Sequence, residues 1–442
     1  MSQEIRNLEP KVLWNQFANL NAVPRPSKKE ERVIAFMKDF GNQLGLETFE
    51  DEIRNVIIRK PATPGMENRK PVVLQGHLDM VHQKNADTVF DFDTQGIDMY
   101  VDGDWVRARG TTLGADNGLG VAAIMAILES KDIPHPAIEA LFTIDEETGM
   151  TGALNLKGGI LQGQILLNLD TEEDDEIDIG CAGGIDVTAT AEFDEEATPE
   201  GSVGYTITVK GLNGGHSGMD IHKGLGNANK IMNRLLFDGF DNFGLQIASI
   251  QGGSLRNAIP RESVAKVIIA EVYDEAFVFD MQQIVNEIKS ELKSTEPNLE
   301  IVFEKMETVP VKVMPSIAQF YFVRAMYTAL NGVYRMSADF DSLVETSNNI
   351  AKVVLGNGQL TVQCLTRSSV ESAKMDLANG LRSAFELMGC EVEFSGSYPG
   401  WTPNAKSEIL DVLTSIYEKQ NNEKAKVVAC HAGLECGILG AN

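Results

Sequence analysis

Cysteine is scarce in this sequence: there are five in 442 residues, at 181, 364, 390, 430 and 436, odd in number and with no CxxC pair. That excludes a disulfide-built scaffold and argues against a thiolate metal centre, and it reads as reduced thiols in a cytoplasmic protein. Long apolar runs are also missing, and none approaches the ~20 residues that cross a bilayer. The amino terminus, MSQEIRNLEPKVLW, has no basic start followed by an apolar stretch, so it does not resemble a signal peptide. Positive charge is the third shortage. Lys and Arg number 38 against 64 Asp and Glu, a formal net charge of −26. Nucleic acid and other polyanions are therefore poor partners, since phosphate recognition needs clustered cations.

What is present is a globular composition, 43% hydrophobic and 23% charged. The length exceeds one ordinary core, so two domains are expected. Residues 71–170 organise the rest. They run PVVLQGHLDMV, GTTLGADNG, ALFTIDEETGMTG and QILLNLDTEE. Three of these pieces are short apolar runs that end in His77 and Asp79, in Asp145, Glu146 and Glu147, and in Asp170. Such runs read as strands buried on both faces, as in a parallel sheet, and function gathers beyond the carboxyl ends of those strands. The fourth piece is a glycine-rich turn that places Asp116 just before an apolar helix over 119–128. One His and several carboxylates would then converge on one sheet edge. Unpaired, they repel and raise one another's pKa; a pair of divalent cations is the simplest remedy.

Ser27-Lys28-Lys29-Glu30 has the form of a capping box, opening a helix with Val33, Met37, Phe40 and Leu44 on one face and Gly45 past its end. Strands then alternate with helices to about residue 185. After GCAGGID the pattern changes. Residues 204–212 and 245–250 alternate apolar and polar, as half-buried strands do. Helices are predicted at 225–237, 275–293, 316–330 and 372–388, and strands at 263–270, 298–304 and 359–366. From Glu391 a strand, then YPGWTPN, then a helix near 407–419 read as a return to the first domain. The expected fold is α/β: a catalytic domain, residues 1–186 and 397–442, with a mostly parallel sheet flanked by helices, and an inserted α+β lid domain, residues 187–396.

Positions i and i+2 of an extended chain share a side, so in His77-Leu78-Asp79 the carboxylate can hold one imidazole nitrogen while the other binds a metal. Alone, an HxD is better explained as chance or a hydrogen-bonded loop. Asp116 sits in a turn of the kind that also cradles phosphate, but the Lys of GxxxxGK[ST] is absent and acids surround it. In the 145–147 triplet adjacent side chains diverge, so one Glu can face a metal and the other the substrate as a base; a solvated acidic loop is the common alternative. Taken together, the ordered set points to metal.

GHLDMV, GADNG, DEETG and NLD before an acidic run resemble the di-zinc exopeptidases related to carboxypeptidase G. GTTLGADNG, GCAGGID, GLNGGHSG, GLGNANK, LRNAIPRE, YPGWTPN and HAGLECG resemble more closely the aminoacyl-histidine dipeptidase branch, nearly end to end. The resemblance implies two metals, zinc with Mn²⁺ or Co²⁺ possible, bridged by Asp116. One would be held also by His77 and either Asp170 or Glu147, the other by the remaining carboxylate. It makes Glu146 the general base for a metal-activated water, Glu147 a ligand and Asp79 the partner of His77. It makes His216 of GGHSG, in a lid, the oxyanion donor, from its own or a partner subunit of a homodimer. Asn257 and Arg367 match positions that contact the substrate carbonyl or carboxylate. A turn His, a capping Asn and a strand-end surface Arg are the plain alternatives for these three. The implied activity is hydrolysis of dipeptides with a free amino terminus, including Xaa-His.

The sequence ends at Ile438-Leu439-Gly440-Ala441-Asn442, before the late His that family members carry in a motif resembling HSPDE. The expectation is either a fragment or a protein with an incomplete second metal site, with weakened binding at one metal and reduced or absent activity, and His431 a substrate-pocket or packing residue. Deacylation of N-acyl amino acids, or a weakly active peptide-binding homologue, are the competing functions. His82, His135 and His222 carry no assigned role.

Overall fold

The structure, a computed structural model, describes residues 4–440. The chain divides into two compact units. The first takes the described residues up to Ile179, Asn404–Val428 and those from Leu434 on; the second takes Gly180–Pro403 and Ala429–Gly433.

The first unit is built on a five-stranded sheet. Its strands are β1 (Glu47–Glu50), β2 (Val56–Lys60), β3 (Val72–His77), β4 (Ile138–Thr143) and β5 (Ile165–Asn168). Their order is β1-β2-β4-β3-β5. β4 and β5 flank β3 and run parallel to it. β2 pairs antiparallel with both β1 and β4, so it alone is reversed and the mostly parallel character holds. Every residue of β4 is buried, as is all of β3 after Val72, which is why both read as unbroken apolar runs. Helices α1 (Lys11–Asn21), α2 (Glu31–Gln43) and α3 (Ala115–Glu129) surround this sheet. α2 gives Val33, Ile34 and Met37, and α3 gives Val121, Ile124, Met125 and Leu128, to one core with Val56, Ile58, Leu74, Ala140 and Phe142.

The capping box did not form as expected. α2 starts at Glu31, and its N-cap residue Glu30 makes no side-chain capping bond. Ser27 Oγ donates instead to Asp79 Oδ2 at 2.8 Å, and Glu30 Oε1 accepts from the backbone of Lys28 at 2.8 Å. A buried carboxylate has claimed the hydroxyl that the helix start would have used. Gly45 does follow the helix, with φ +70°, the left-handed conformation in which helices commonly end.

The second unit carries a nine-stranded sheet: β6 (Gly183–Glu192), β7 (Ser202–Lys210), β8 (Gln246–Gly252), β9 (Ser263–Ala270), β10 (Glu300–Lys305), β11 (Gly332–Met336), β12 (Val344–Gly356), β13 (Gln359–Ser368) and β14 (Glu391–Tyr398). The order is β10-β7-β9-β8-β12-β13-β6-β14, with β11 pairing β12, and the pairings are antiparallel. The strand from Glu391 therefore lies along β6. Along β7, Val203, Tyr205, Ile207 and Val209 point into a core shared with α4 (Ala228–Phe243), α5 (Asp274–Leu292), α6 (Ser316–Thr328) and α7 (Glu371–Glu386). No described helix is long and apolar enough to cross a membrane.

Candidate active site

β3 ends on His77, and the next two residues continue to Asp79. His77 is buried, with 1% of its side chain exposed. Its Nδ1 lies 3.2 Å from Asp79 Oδ1 and its Nε2 lies 2.9 Å from Asp116 Oδ1. Asp170 Oδ2, just past β5, is 3.8 Å from the same Nε2. His77, Asp116 and Asp170 thus offer one ligand atom each, all within 4.8 Å of one another.

Backbone and polar side chains fix each acid. Asp79 is fully buried and accepts from Ser27, from Glu146 N at 3.0 Å and from Glu147 N at 3.3 Å. Burial alone would raise its carboxyl, but the bonds from His77, Glu146 and Ser27 outweigh that and hold it low. The adjoining turn, Glu146–Gly149, follows Asp145 at φ +51°. Asp145 turns inward, where Thr148 and Thr151 donate to it and its own N–H reaches Glu30 Oε1 at 3.2 Å. Glu30, Asp79 and Asp145 also come together, but these donors occupy them, so the group serves as an anchor. Arg25, fully buried, ties Leu78 and Asp79 to the glycine-rich turn: it donates to the carbonyls of both, at 3.0 and 2.9 Å, and to that of Gly114. Asn117 Nδ2 holds Asp170 Oδ1 at 2.8 Å.

The electrostatics fit a cation. Burial pushes Asp170 up to about 7; His77 opposes this and Asp116 adds to it. Burial likewise pushes Glu146 up to about 8, with Glu435, Glu147 and Asp79 contributing their repulsion. Glu147 is raised by burial and by Asp116. Its Oε1 accepts from Val81 N at 3.3 Å, and it stands outside the 4.8 Å group. One imidazole nitrogen and a set of crowded acids is the donor chemistry of a divalent-metal site, where positive charge removes the mutual repulsion.

Sequence reasoning missed Glu435. Its motif, HAGLECG, was read for its histidine, yet Glu435 is 1% exposed and burial pushes it up to about 7. His431 accepts or donates at Nε2 with Ser347 Oγ, 2.7 Å away. Burial and Arg367 push it down to about 3, so it stays neutral, and it joins no metal-spaced group among the described residues. His135 bonds the adjacent Pro136 carbonyl through Nδ1 at 2.7 Å.

In the second unit, the ladder Gly215–His216 pairs with Ala258–Ile259. The His216 Nδ1 accepts from the backbone of Gly218 and Met219, at 3.2 and 3.1 Å. Two donors at Nδ1 leave the proton of the neutral ring on Nε2, and burial and Arg367 lower its pKa, which favours that neutral form. Asn257 is exposed; its carbonyl accepts from Ser217 N at 2.8 Å. Arg367, near the end of β13, is no surface residue: it is 4% exposed. It donates to Ser217 Oγ at 3.4 Å and to the Tyr398 hydroxyl at 2.8 Å. Tyr398 had no signal beyond its place in YPGWTPN, and Gly184 makes room for its ring, since a Cβ there would meet Cζ at 2.6 Å.

An α/β unit with a His–carboxylate cluster at its strand ends has the donor set of a metal-dependent enzyme. The peptidase dimerisation domain of the M20 type matches residues 200–298. The cytosol non-specific dipeptidase of Escherichia coli is 42% identical over 440 residues, 99% of this chain and 90% of that protein. The structure of aminoacylhistidine dipeptidase from Vibrio alginolyticus superposes with a TM-score of 0.90 at 44% identity, covering 99% of this chain and 89% of that one. Aminopeptidase PepT from Bacillus cereus shares the fold at a TM-score of 0.55 and 16% identity, over 98% and 88%. The chain belongs to the M20 peptidase family, in the branch of the cytosol non-specific dipeptidases.

Proposed function

We propose that this chain hydrolyses dipeptides with a free amino terminus, Xaa-His dipeptides among them. One observation carries the reading: His77, Asp116 and Asp170 meet near Glu146, an acid that burial keeps ready to hold a proton near neutral pH. His77, Asp116, Asp170 and Glu147 would hold the expected two zinc ions; Mn²⁺ and Co²⁺ would suit the same donors. Bound there, they would supply Lewis acidity for the scissile carbonyl and activation of water. Glu146 takes the proton of the attacking water and returns it to the leaving amine. Asp79 fixes the tautomer and orientation of His77. His216 offers Nε2–H to the oxygen that gains charge as the carbonyl becomes tetrahedral, and Asn257 and Arg367 hold the substrate carbonyl or carboxylate. The dimerisation-domain match supports a homodimer, and the scarcity of cysteine supports the cytoplasm.

The test is zinc content per chain together with Ala-His hydrolysis, for the wild type and for Glu146→Gln. Turnover should rise with added zinc and fall about 10²–10⁴-fold in the variant, with zinc content unchanged. Cleavage of N-acetyl substrates alone would move the reading to a deacylase. Full zinc content with turnover of neither substrate would overturn it.

A further inference from the structure

The short helix Glu435–Leu439 opens on a carboxylate that the proposed chemistry does not use. Glu435 is 1% exposed, and no Lys, Arg or His hydrogen-bonds to it among the described residues. Its Oε2 accepts from Gln75 Nε2 at 2.6 Å and from Thr143 Oγ1 at 2.7 Å, while Oε1 has no partner. Burying a carboxyl among neutral donors is costly, and a fold shaped by stability alone would be served better by an apolar residue there.

The bonds lead onward. Gln75, fully buried on β3, turns Nε2 toward Glu435 and Thr143, so its Oε1 faces the other way and accepts from Asn168 Nδ2 at 2.5 Å. Asn168, the last residue of β5, then presents Oδ1 to the backbone N–H of Asp170 at 3.2 Å. At Oε2 the Glu435 carboxyl acts as an acceptor in both bonds. Placed at one end, it decides which way both amides face, and the last bond in the series holds the backbone of Asp170. The relay joins the ends of β3, β4 and β5 to a residue 360 positions from Gln75.

We propose that Glu435 is a positioning residue for the metal site, fixing Asp170 through Gln75 and Asn168. This rests on the metal-dependent reading above. The Asp170 carboxylate is held separately by Asn117, so the relay sets the backbone from which that carboxylate projects. A glutamine at 435 still has an oxygen to accept both bonds; an alanine has none.

The experiment is the zinc dissociation constant of the full chain, measured by competition with a chelator, for wild type, Glu435→Ala, Glu435→Gln, Asn168→Ala and the double alanine variant. Glu435→Ala and Asn168→Ala should each weaken zinc about 10–100-fold, the range for residues that orient ligands. The double variant should lose little more than either single one, because both cut the same series. Glu435→Gln should stay close to wild type. Wild-type affinity in Glu435→Ala would overturn the proposal, as would a Glu435→Gln loss equal to that of alanine, which would make charge and not hydrogen bonding the cause. Should Glu435→Ala fail to fold by circular dichroism, Asn168→Ala decides: unchanged affinity there overturns the relay. A wild-type chain that binds no zinc would sink the metal reading itself, a result distinct from all of these.

Discussion

Arg367 illustrates what a single buried side chain can state. Its guanidinium meets two neutral hydroxyls, Ser217 and Tyr398, while the half-buried Asp186 is engaged at 3.2 Å by Arg256. Arg367 also acts on Asp186 through its charge, but among the described residues it hydrogen-bonds to no carboxylate, which leaves its fork able to take an anion. The Tyr398 oxygen accepts from Arg367, and burial raises its pKa, so the phenol keeps a proton to donate. Replacing Arg367 by Lys keeps the charge and removes the planar fork. We expect KM for Ala-His to rise about 10–100-fold, equivalent to losing one charge-assisted hydrogen bond, with kcat little altered. The C-terminal amide of the same dipeptide should be insensitive. Equal losses on both substrates would contradict a carboxylate contact. The residue pattern alone favoured a strand-end surface Arg and only the family resemblance placed Arg367 at the substrate; its burial now removes the surface reading. Glu435 and Tyr398 escaped for a related reason: each is one polar residue with no spaced partner to mark it. His77, Asp116 and Asp170 were legible because each closes an apolar run or opens an apolar helix.

At the scale of elements, close approach is what places the acids. α3 crosses the loop beyond β5 so tightly that a Cβ on Gly120 would lie 2.2 Å from the Leu169 carbonyl oxygen. That atom is backbone and cannot swing aside, so Gly120→Ala must push the helix from the Asp170 loop. The expected cost is about 1–3 kcal/mol, read as a lower midpoint in urea, together with weaker zinc binding. A variant of wild-type stability would show that this contact is looser than its geometry. Apolar periodicity made most elements readable, including β9, found at Ser263–Ala270 as expected, and α5 at Asp274–Leu292. β12 was not readable. It was not among the expected strands, and its polar run Ser347-Asn348-Asn349 is buried throughout. Asn348 donates to the Leu330 carbonyl, and Asn349 to those of Arg256 and Ala258. Backbone carbonyls outside the strand satisfy these amides, so nothing local announces a strand. The capping box erred in the opposite way: a sound local signal lost its hydroxyl to Asp79.

Across the whole molecule, the acids of the first unit couple folding to pH and to metal. Glu146 sits at about 8, Asp170 at about 7 and Glu435 at about 7, all above the ordinary carboxylate value of about 4. Each therefore binds its proton more tightly folded than unfolded. Its contribution to stability is fully present below the unfolded pKa and is lost as pH rises through the folded one. His77, also raised, adds the same sign. The metal-free protein should then lose stability between about pH 5 and 8, in the direction that its net charge of −26 also favours through self-repulsion. Metal acts oppositely, since cations bind the deprotonated ligands and gain affinity as protons leave, and a ligand at about 100 times its Kd adds about 2.7 kcal/mol. Scanning calorimetry of chelator-treated and zinc-loaded protein at about pH 5.5 and 8 checks this. The difference in Tm should widen toward pH 8, and moderate salt should reduce the general repulsion while leaving most of that difference. A difference that stays constant or narrows would mean that these acids do not bind the metal, and that their crowding at the ends of β3, β4 and β5 answers to something else.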